Sequence, residues 1–114
     1  MHEVSILQYG LRAVENAARI RGMKRITQIE FTIGALQKVY PDAMQRLFQI
    51  ITADNPMFSG CKLVIDEQKP LILCQTCQTE STLEGYALTC PACGSEKTTL
   101  KRGDELLIRS FSGY

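Results

Sequence analysis

Four cysteines in two closely spaced pairs are the residues of this sequence best suited to chemistry. Cys74 and Cys77 form one C-x-x-C motif, and Cys90 and Cys93 form a second one after twelve intervening residues. Two such turns that face each other supply four thiolates in tetrahedral geometry, with metal–sulfur distances near ~2.3 Å for zinc. Gly94 follows the second motif and frees the chain to turn there. The spacing therefore predicts a closed four-thiolate metal site.

Two other chemistries use C-x-x-C motifs. A thioredoxin-like redox centre needs only one motif, so a pair at this spacing argues against it. An iron site of the rubredoxin type would be served by the same four sulfurs, and it stays open as an alternative. Because four thiolates leave no open coordination position, either metal would be structural or redox-active rather than hydrolytic. Zinc is the prediction that the motif favours.

The fifth cysteine and the single histidine stand apart from this cluster. Cys61 lies in a strand pattern without a neighbouring acid or histidine, which predicts a buried free thiol. His2 follows the α-amine directly, so the amine, the His2 amide and the imidazole could chelate Ni(II) or Cu(II) in one plane. Taken alone this signal is weak, and an exposed histidine at a frayed chain terminus is the simpler interpretation.

The elements that must position these residues follow from hydrophobic periodicity. An amphipathic helix is predicted at the start of the chain, with Gly22 as its stop, from apolar residues at positions 4, 7, 11, 14 and 18. Ile29, Phe31 and Ile33 alternate with Gln28, Glu30 and Thr32, which predicts a half-buried strand that ends at Gly34. Pro41 opens a second amphipathic helix that ends before Pro56. Strands are predicted over residues 61–67 and 105–111.

This order predicts an α+β fold in two parts. Residues 1–69 plus 104–114 are expected to form a small domain with two helices on a three-stranded sheet. Residues 70–103 are expected to form an inserted zinc-ribbon-like module, because they contain the paired cysteines and little aliphatic material. The final strand is predicted to rejoin the sheet of the first part.

Composition limits the function classes. The chain has 114 residues, of which 45% are hydrophobic and 22% charged, and its formal net charge is +1. These values are those of an ordinary globular domain, and a net charge this small would not attract nucleic acid or an anionic membrane. No membrane span or signal peptide is evident, so we expect a cytoplasmic protein.

Three motifs in order along the chain resemble the HypA/HybF family of [NiFe]-hydrogenase maturation proteins. They are Met1-His2-Glu3 ahead of an amphipathic helix, Ile33-Gly34-Ala35-Leu36 after a strand, and the C-x-x-C pair at 74–93. The resemblance implies a nickel metallochaperone and not an enzyme. It implies Ni(II) as cargo at Met1, His2 and Glu3, and structural zinc at the four cysteines.

The resemblance also implies partners: a HypB-type GTPase, the [NiFe]-hydrogenase large subunit and, for some members, urease maturation proteins. A zinc ribbon that contacts nucleic acid or another protein is the rival interpretation, because Lys97, Lys101 and Arg102 lie near the second motif. Asp104 and Glu105 beside them favour a solvated surface instead. We expect neither nucleic acid nor membrane as a partner. An enzyme is not expected, because the sequence has one histidine and no phosphate-binding loop.

Overall fold

The computed structural model describes the chain from the backbone of His2 to Tyr114, and the side chain of His2 is outside the description. The elements are α1 (His2–Ile20), β1 (Ile26–Gly34), α2 (Pro41–Thr52), β2 (Lys62–Gln68), β3 (Leu71–Cys74), β4 (Glu80–Thr82), β5 (Thr98–Arg102) and β6 (Leu106–Gly113). One-turn 3-10 helices occur at Ala35–Gln37 and Pro56–Phe58. One sheet has the order β2-β1-β6 and the other has the order β4-β3-β5. The predicted α+β class is confirmed.

The chain divides into two compact units. The first contains residues Met1–Phe31, Val39–Asp66 and Leu107–Tyr114, and the second contains Thr32–Lys38 and Glu67–Leu106. The second unit therefore includes the end of β1 and the turn that follows it, in addition to the whole of the predicted 70–103 module. The assignment of one metal to each domain stays a prediction.

Helix α1 buries the face that the sequence predicted. Leu7, Leu11, Val14 and Ala18 are all buried, and the helix packs against α2. At Gly10 a side chain would collide with the ring of Phe31, so glycine lets α1 lie close to β1. Gly22 has a φ of 71°, and the adjacent Met23 N–H donates to Ala18 O at 2.9 Å. This is the glycine-terminated helix end that the sequence indicated.

Strand β1 provides the centre of the first sheet. Ile29, Phe31 and Ile33 are buried as predicted, but Thr32, which was expected on the solvated face, is only 3% exposed. The strand ends at Gly34, and α2 begins at Pro41 as the first helical residue. Met44 and Phe48 anchor α2 in the core.

Strand β6 returns to β1, as predicted. Its two ends show that the pairing is antiparallel. Tyr114 and Arg25 exchange backbone hydrogen bonds of 2.9 Å in both directions, whereas Gly34 N–H donates to Glu105 O at 2.7 Å. The sheet order leaves β2 and β6 as its two edge strands. Among the residues described, no helix is both long and apolar enough to cross a membrane.

The second unit has its own antiparallel sheet. Leu71, Ile72 and Leu73 of β3 face Thr82, Ser81 and Glu80 of β4, and the other side of β3 pairs with β5. The turn after β1 belongs to this unit: Leu36 N–H donates to Gly103 O at 2.9 Å, and Gln37 Nε2 donates to Asp104 O at 2.7 Å. Its buried cluster consists of Ile72, Cys74, Leu83 and Cys90, with Leu88 and Leu100 partly buried beside it. The sheet positions the first cysteine motif at the end of β3.

Candidate metal centres

The first C-x-x-C motif is a tight turn that begins on the last residue of β3. Cys74 N–H donates to Thr79 O at 3.0 Å, and Gln78 N–H donates to Cys74 O, also at 3.0 Å. The Cys77 N–H lies 3.4 Å from Cys74 Sγ and donates to it. Gln78 closes the turn with a φ of 63°, a conformation that glycine or asparagine usually supplies.

The second motif repeats the same pattern of hydrogen bonds. Cys90 N–H donates to Ser95 O at 2.9 Å, and Gly94 N–H donates to Cys90 O at 2.8 Å. Gly94 has a φ of 79°, which confirms the predicted turn. The two turns are also linked by a hydrogen bond of 2.9 Å between the Thr76 and Ser95 hydroxyls.

These turns bring all four sulfurs together. The Sγ atoms lie within 4.8 Å of one another, with Cys74–Cys93 at 3.6 Å and Cys77–Cys90 at 3.7 Å. A tetrahedron with metal–sulfur bonds of ~2.3 Å has edges of about 3.8 Å, so the cluster can hold such an ion. The same distances are far longer than a disulfide bond of about 2.05 Å, and all four cysteines are free.

The site is buried on one side only. Cys74 and Cys90, the first residue of each motif, are buried, whereas Cys77 and Cys93 are exposed. The donor set contains four thiols and no carboxylate or imidazole among the residues described. This soft donor set fits zinc or iron rather than magnesium or calcium.

The surroundings of the thiols lower the pKa of two of them, Cys74 and Cys77. The Cys77 N–H, which donates to Cys74 Sγ, lowers the pKa of Cys74 to about 6 despite its burial. The Thr79 hydroxyl and N–H lower the pKa of Cys77. The Ser95 N–H favours the Cys93 thiolate, but the neighbouring sulfurs, Cys74 first, and burial raise its pKa to about 12. A bound cation must therefore displace a firmly held proton from Cys93.

Cys61 lies outside this cluster, in the first unit. It is 7% exposed, its Sγ has a weak contact of 3.8 Å with Lys62 O, and burial raises its pKa to about 11. A protonated thiol of this kind is a poor ligand and a poor nucleophile. The expectation of a buried free thiol is confirmed.

The predicted N-terminal chelate falls mostly outside the described residues. Met1 and the side chain of His2 lie outside the residues that the structure describes. Glu3 lies in the first turn of α1, and its Oε2 accepts a hydrogen bond of 3.2 Å from Tyr40 N–H. Glu3's own backbone N–H and then that of Tyr40 lower the pKa of its carboxyl group. The sequence had no signal for this contact, which ties α1 to the residue just before α2.

Comparison with known proteins identifies the family. Residues 1–113 match the protein-family model that is described as "Hydrogenase/urease nickel incorporation, metallochaperone, hypA". The chain belongs to the HypA family.

Curated HypA relatives match over nearly the whole chain. The hydrogenase maturation factor HypA of Moorella thermoacetica is 34% identical over 113 residues, which cover 99% of each chain. HybF of Morganella morganii is 32% identical with the same coverage. HypA of Chlorobium luteolum is 36% identical over 111 residues, 97% of this chain and 94% of that protein.

Two solved HypA structures have the same fold. The solution structure of the nickel metallochaperone HypA from Helicobacter pylori has a TM-score of 0.65 at 18% identity, covering 97% of this chain and 96% of that one. A second HypA solution structure has a TM-score of 0.71 at 18% identity, covering 100% and 97%. The family is one of metallochaperones and maturation factors rather than of catalysts.

Proposed function

We propose that this protein is a nickel metallochaperone that binds Ni(II) at its N-terminus and delivers it to the [NiFe]-hydrogenase large subunit. The observation that carries the proposal is the match of residues 1–113 to a family described by nickel incorporation. The matched residues include both the N-terminal motif and the four cysteines.

We assign the four-cysteine site to structural zinc. Sulfur–sulfur distances of 3.6 and 3.7 Å suit tetrahedral coordination, and four thiolates leave no position for a substrate. When bound, zinc would cross-link the two turns and supply folding free energy to a unit with a small apolar core. Iron in the same donor set is the alternative. A purified protein that is red and contains iron would replace the zinc assignment, whereas a colourless protein with one zinc per chain would support it.

The nickel site is proposed to use nitrogen donors from the first residues: the Met1 amine, the His2 amide and the His2 imidazole. Tetragonal nitrogen coordination suits Ni(II). Glu3 belongs to the site through its backbone amide and its charge, because its carboxylate is already engaged by Tyr40 N–H. A site formed by terminal residues can pass its metal to a partner, which a closed cage cannot do.

Delivery implies protein partners. A HypB-type GTPase and the hydrogenase large subunit are the proposed ones, and urease maturation proteins are a further possibility given the family description of hydrogenase/urease nickel incorporation. Nucleic acid is not proposed as a partner. Lys101 and Arg102 lie at the exposed end of β5, where two cations alone make a poor phosphate-binding surface.

The direct test is calorimetric titration of untagged protein with Ni(II). His2→Ala should abolish the N-terminal binding event. An extension of Gly-Ser-Gly-Ser before Met1 should do the same, because it moves the amine away from the imidazole without making histidine the third residue of the chain, where a new tetragonal nitrogen chelate would form. Gln8→Ala, an exposed change on α1, serves as the matched control and should bind like the wild type. Binding should also weaken below pH ~6.5, where the imidazole is protonated. Undiminished affinity in both His2→Ala and the extended protein would refute the proposed site.

A further inference from the structure

A groove runs along the outer edge of β6 within the first unit. It has a volume of about 640 Å³ and is lined by residues 108–113 of β6 together with Ala13, Arg21 and Met23. None of the four cysteines is among these residues. The groove therefore shares no residue with the four-cysteine site.

The strand beside this groove has one open edge. β6 pairs with β1 on one side, and no described strand of this sheet lies on its other side. The strand is eight residues long and contains no proline, and Arg109 is its single charged residue. Backbone N–H and C=O groups along such an edge can pair with an extended segment of another chain, while pockets hold alternate side chains. Exposed edges without such a partner are normally short, bulged or heavily charged.

The charges around the groove select what can occupy it. Both charged lining residues, Arg21 and Arg109, are cations. Arg21 is held over the Phe111 ring, 5.5 Å from its centroid, and its Nη1 donates to Ala17 O at 3.4 Å. Glu30 on β1 forms a long ion pair with Arg109, with its Oε2 3.8 Å from Arg109 Nε and 60% of the Arg109 side chain exposed. The residues that line the groove themselves carry two positive charges and no negative one.

We propose that this groove binds an extended, acidic segment of a partner protein, which adds to the sheet as a strand beside β6. Carboxylates on the segment would pair with the guanidinium groups of Arg21 and Arg109, and its apolar side chains would cover Met23 and Ile108. A second copy of this chain fits less well. Two antiparallel β6 strands would bring both sets of cations together without added acids.

The proposal can be tested on the full-length, metal-loaded protein with two labelled octapeptides of alternating sequence. One alternates glutamate with valine and the other alternates lysine with valine. Fluorescence polarisation should show binding of the acidic peptide and none of the basic one. In Arg21→Glu/Arg109→Glu the affinity for the acidic peptide should fall by roughly tenfold or more, and the basic peptide should gain affinity. Amide exchange in residues 107–113 should slow when the acidic peptide binds.

Two variants keep the result interpretable. Arg12→Glu reverses a charge on the exposed face of α1 outside the groove and should leave the acidic peptide's affinity unchanged. Arg21→Gln/Arg109→Gln removes both positive charges without adding repulsion toward Glu30. It replaces the double charge reversal if that variant does not fold, and it should also weaken binding of the acidic peptide. The idea is overturned if neither peptide binds at roughly millimolar concentration, or if both bind equally. It is also overturned if Arg12→Glu weakens binding as much, or if β6 is protected by a concentration-dependent dimer.

Discussion

Replacing one buried cysteine should unfold the four-cysteine unit while the unit containing α1 and α2 stays folded. Cys90→Ser is the sharpest change, because Cys90 is 1% exposed and contributes both a sulfur and part of the buried cluster. The aliphatic members of that cluster are the buried side chains of Ile72 and Leu83 and the partly buried side chains of Leu88 and Leu100. Full burial of all four would contribute at most about 6–12 kcal/mol. Ordering the backbone of about ten residues costs as much.

A metal ion bound by the four thiolates would close this deficit. Structural zinc in small modules supplies on the order of 10–16 kcal/mol, more than the four aliphatic side chains together. Loss of one thiolate removes most of that free energy, so the unit should lose its fixed structure. The first unit has a separate core around Phe48, Leu7 and Ile29 and should be unaffected.

Two measurements check this prediction: metal content per chain, and amide NMR spectra of the wild type and the variant. Cys90→Ser should contain far less than one metal ion per chain and lose signal dispersion for residues 70–103. Signals of α1 should keep their positions. Cys61→Ser is the matched control, since Cys61 is a free thiol outside the cluster. A Cys90→Ser protein that retains a full metal complement and native exchange protection in β3 would refute the reasoning.

Two further predictions concern stability in urea. Burial gives Cys61 a folded-state pKa of about 11 against an ordinary 9.0, so the stabilisation that this thiol contributes below pH 9 is lost as the pH rises toward 11. Over that range the free energy of unfolding of the wild type should fall by up to about 2 kcal/mol more than that of Cys61→Ser. Identical pH profiles of the two proteins would contradict this prediction. Gly34→Ala should lower the free energy of unfolding by about 2 kcal/mol or more, because the added methyl group would overlap backbone atoms of Gly103. Gly85→Ala, with open space around it and an ordinary φ, should stay within about 0.5 kcal/mol of the wild type.

Much of this fold was predictable because its signals are local. The buried positions of α1 repeat with the period of a helix, and Leu7, Leu11 and Val14 are buried as that period requires. Pro41 begins α2 because proline is tolerated where a helical N–H has no partner. The spacing of the C-x-x-C motifs indicated the sulfur cluster because each motif closes a turn within six residues.

The unpredicted features depend on contacts between distant residues. The sequence gives no reason for Gln78, a residue with a Cβ, to adopt a positive φ; the hydrogen bonds of the cysteine turn impose it. Thr32 is buried although alternation placed it on the solvated face, and it is the first residue of the segment that belongs to the second unit. Gly34 looked like a strand terminator, but its main constraint is the close approach of Gly103, 69 positions away in the sequence. Periodicity carries no information about such pairs.

The two proposed metal sites require different things of the chain: one must retain its metal and the other must release it. A metal held by four thiolates gains from rigid turns, and each cysteine turn is closed by two backbone hydrogen bonds and joined to the other by the Thr76–Ser95 contact. The proposed nickel cargo must be released to a partner protein. Donors at a chain end suit this release, because the metal can leave without opening a closed site. Glu3 marks the boundary, because its carboxylate is committed to Tyr40 N–H and holds the start of α1 in place. The proposed nitrogen donors precede Glu3 in the sequence, so metal exchange there would not require the hydrogen bond between Glu3 and Tyr40 to break.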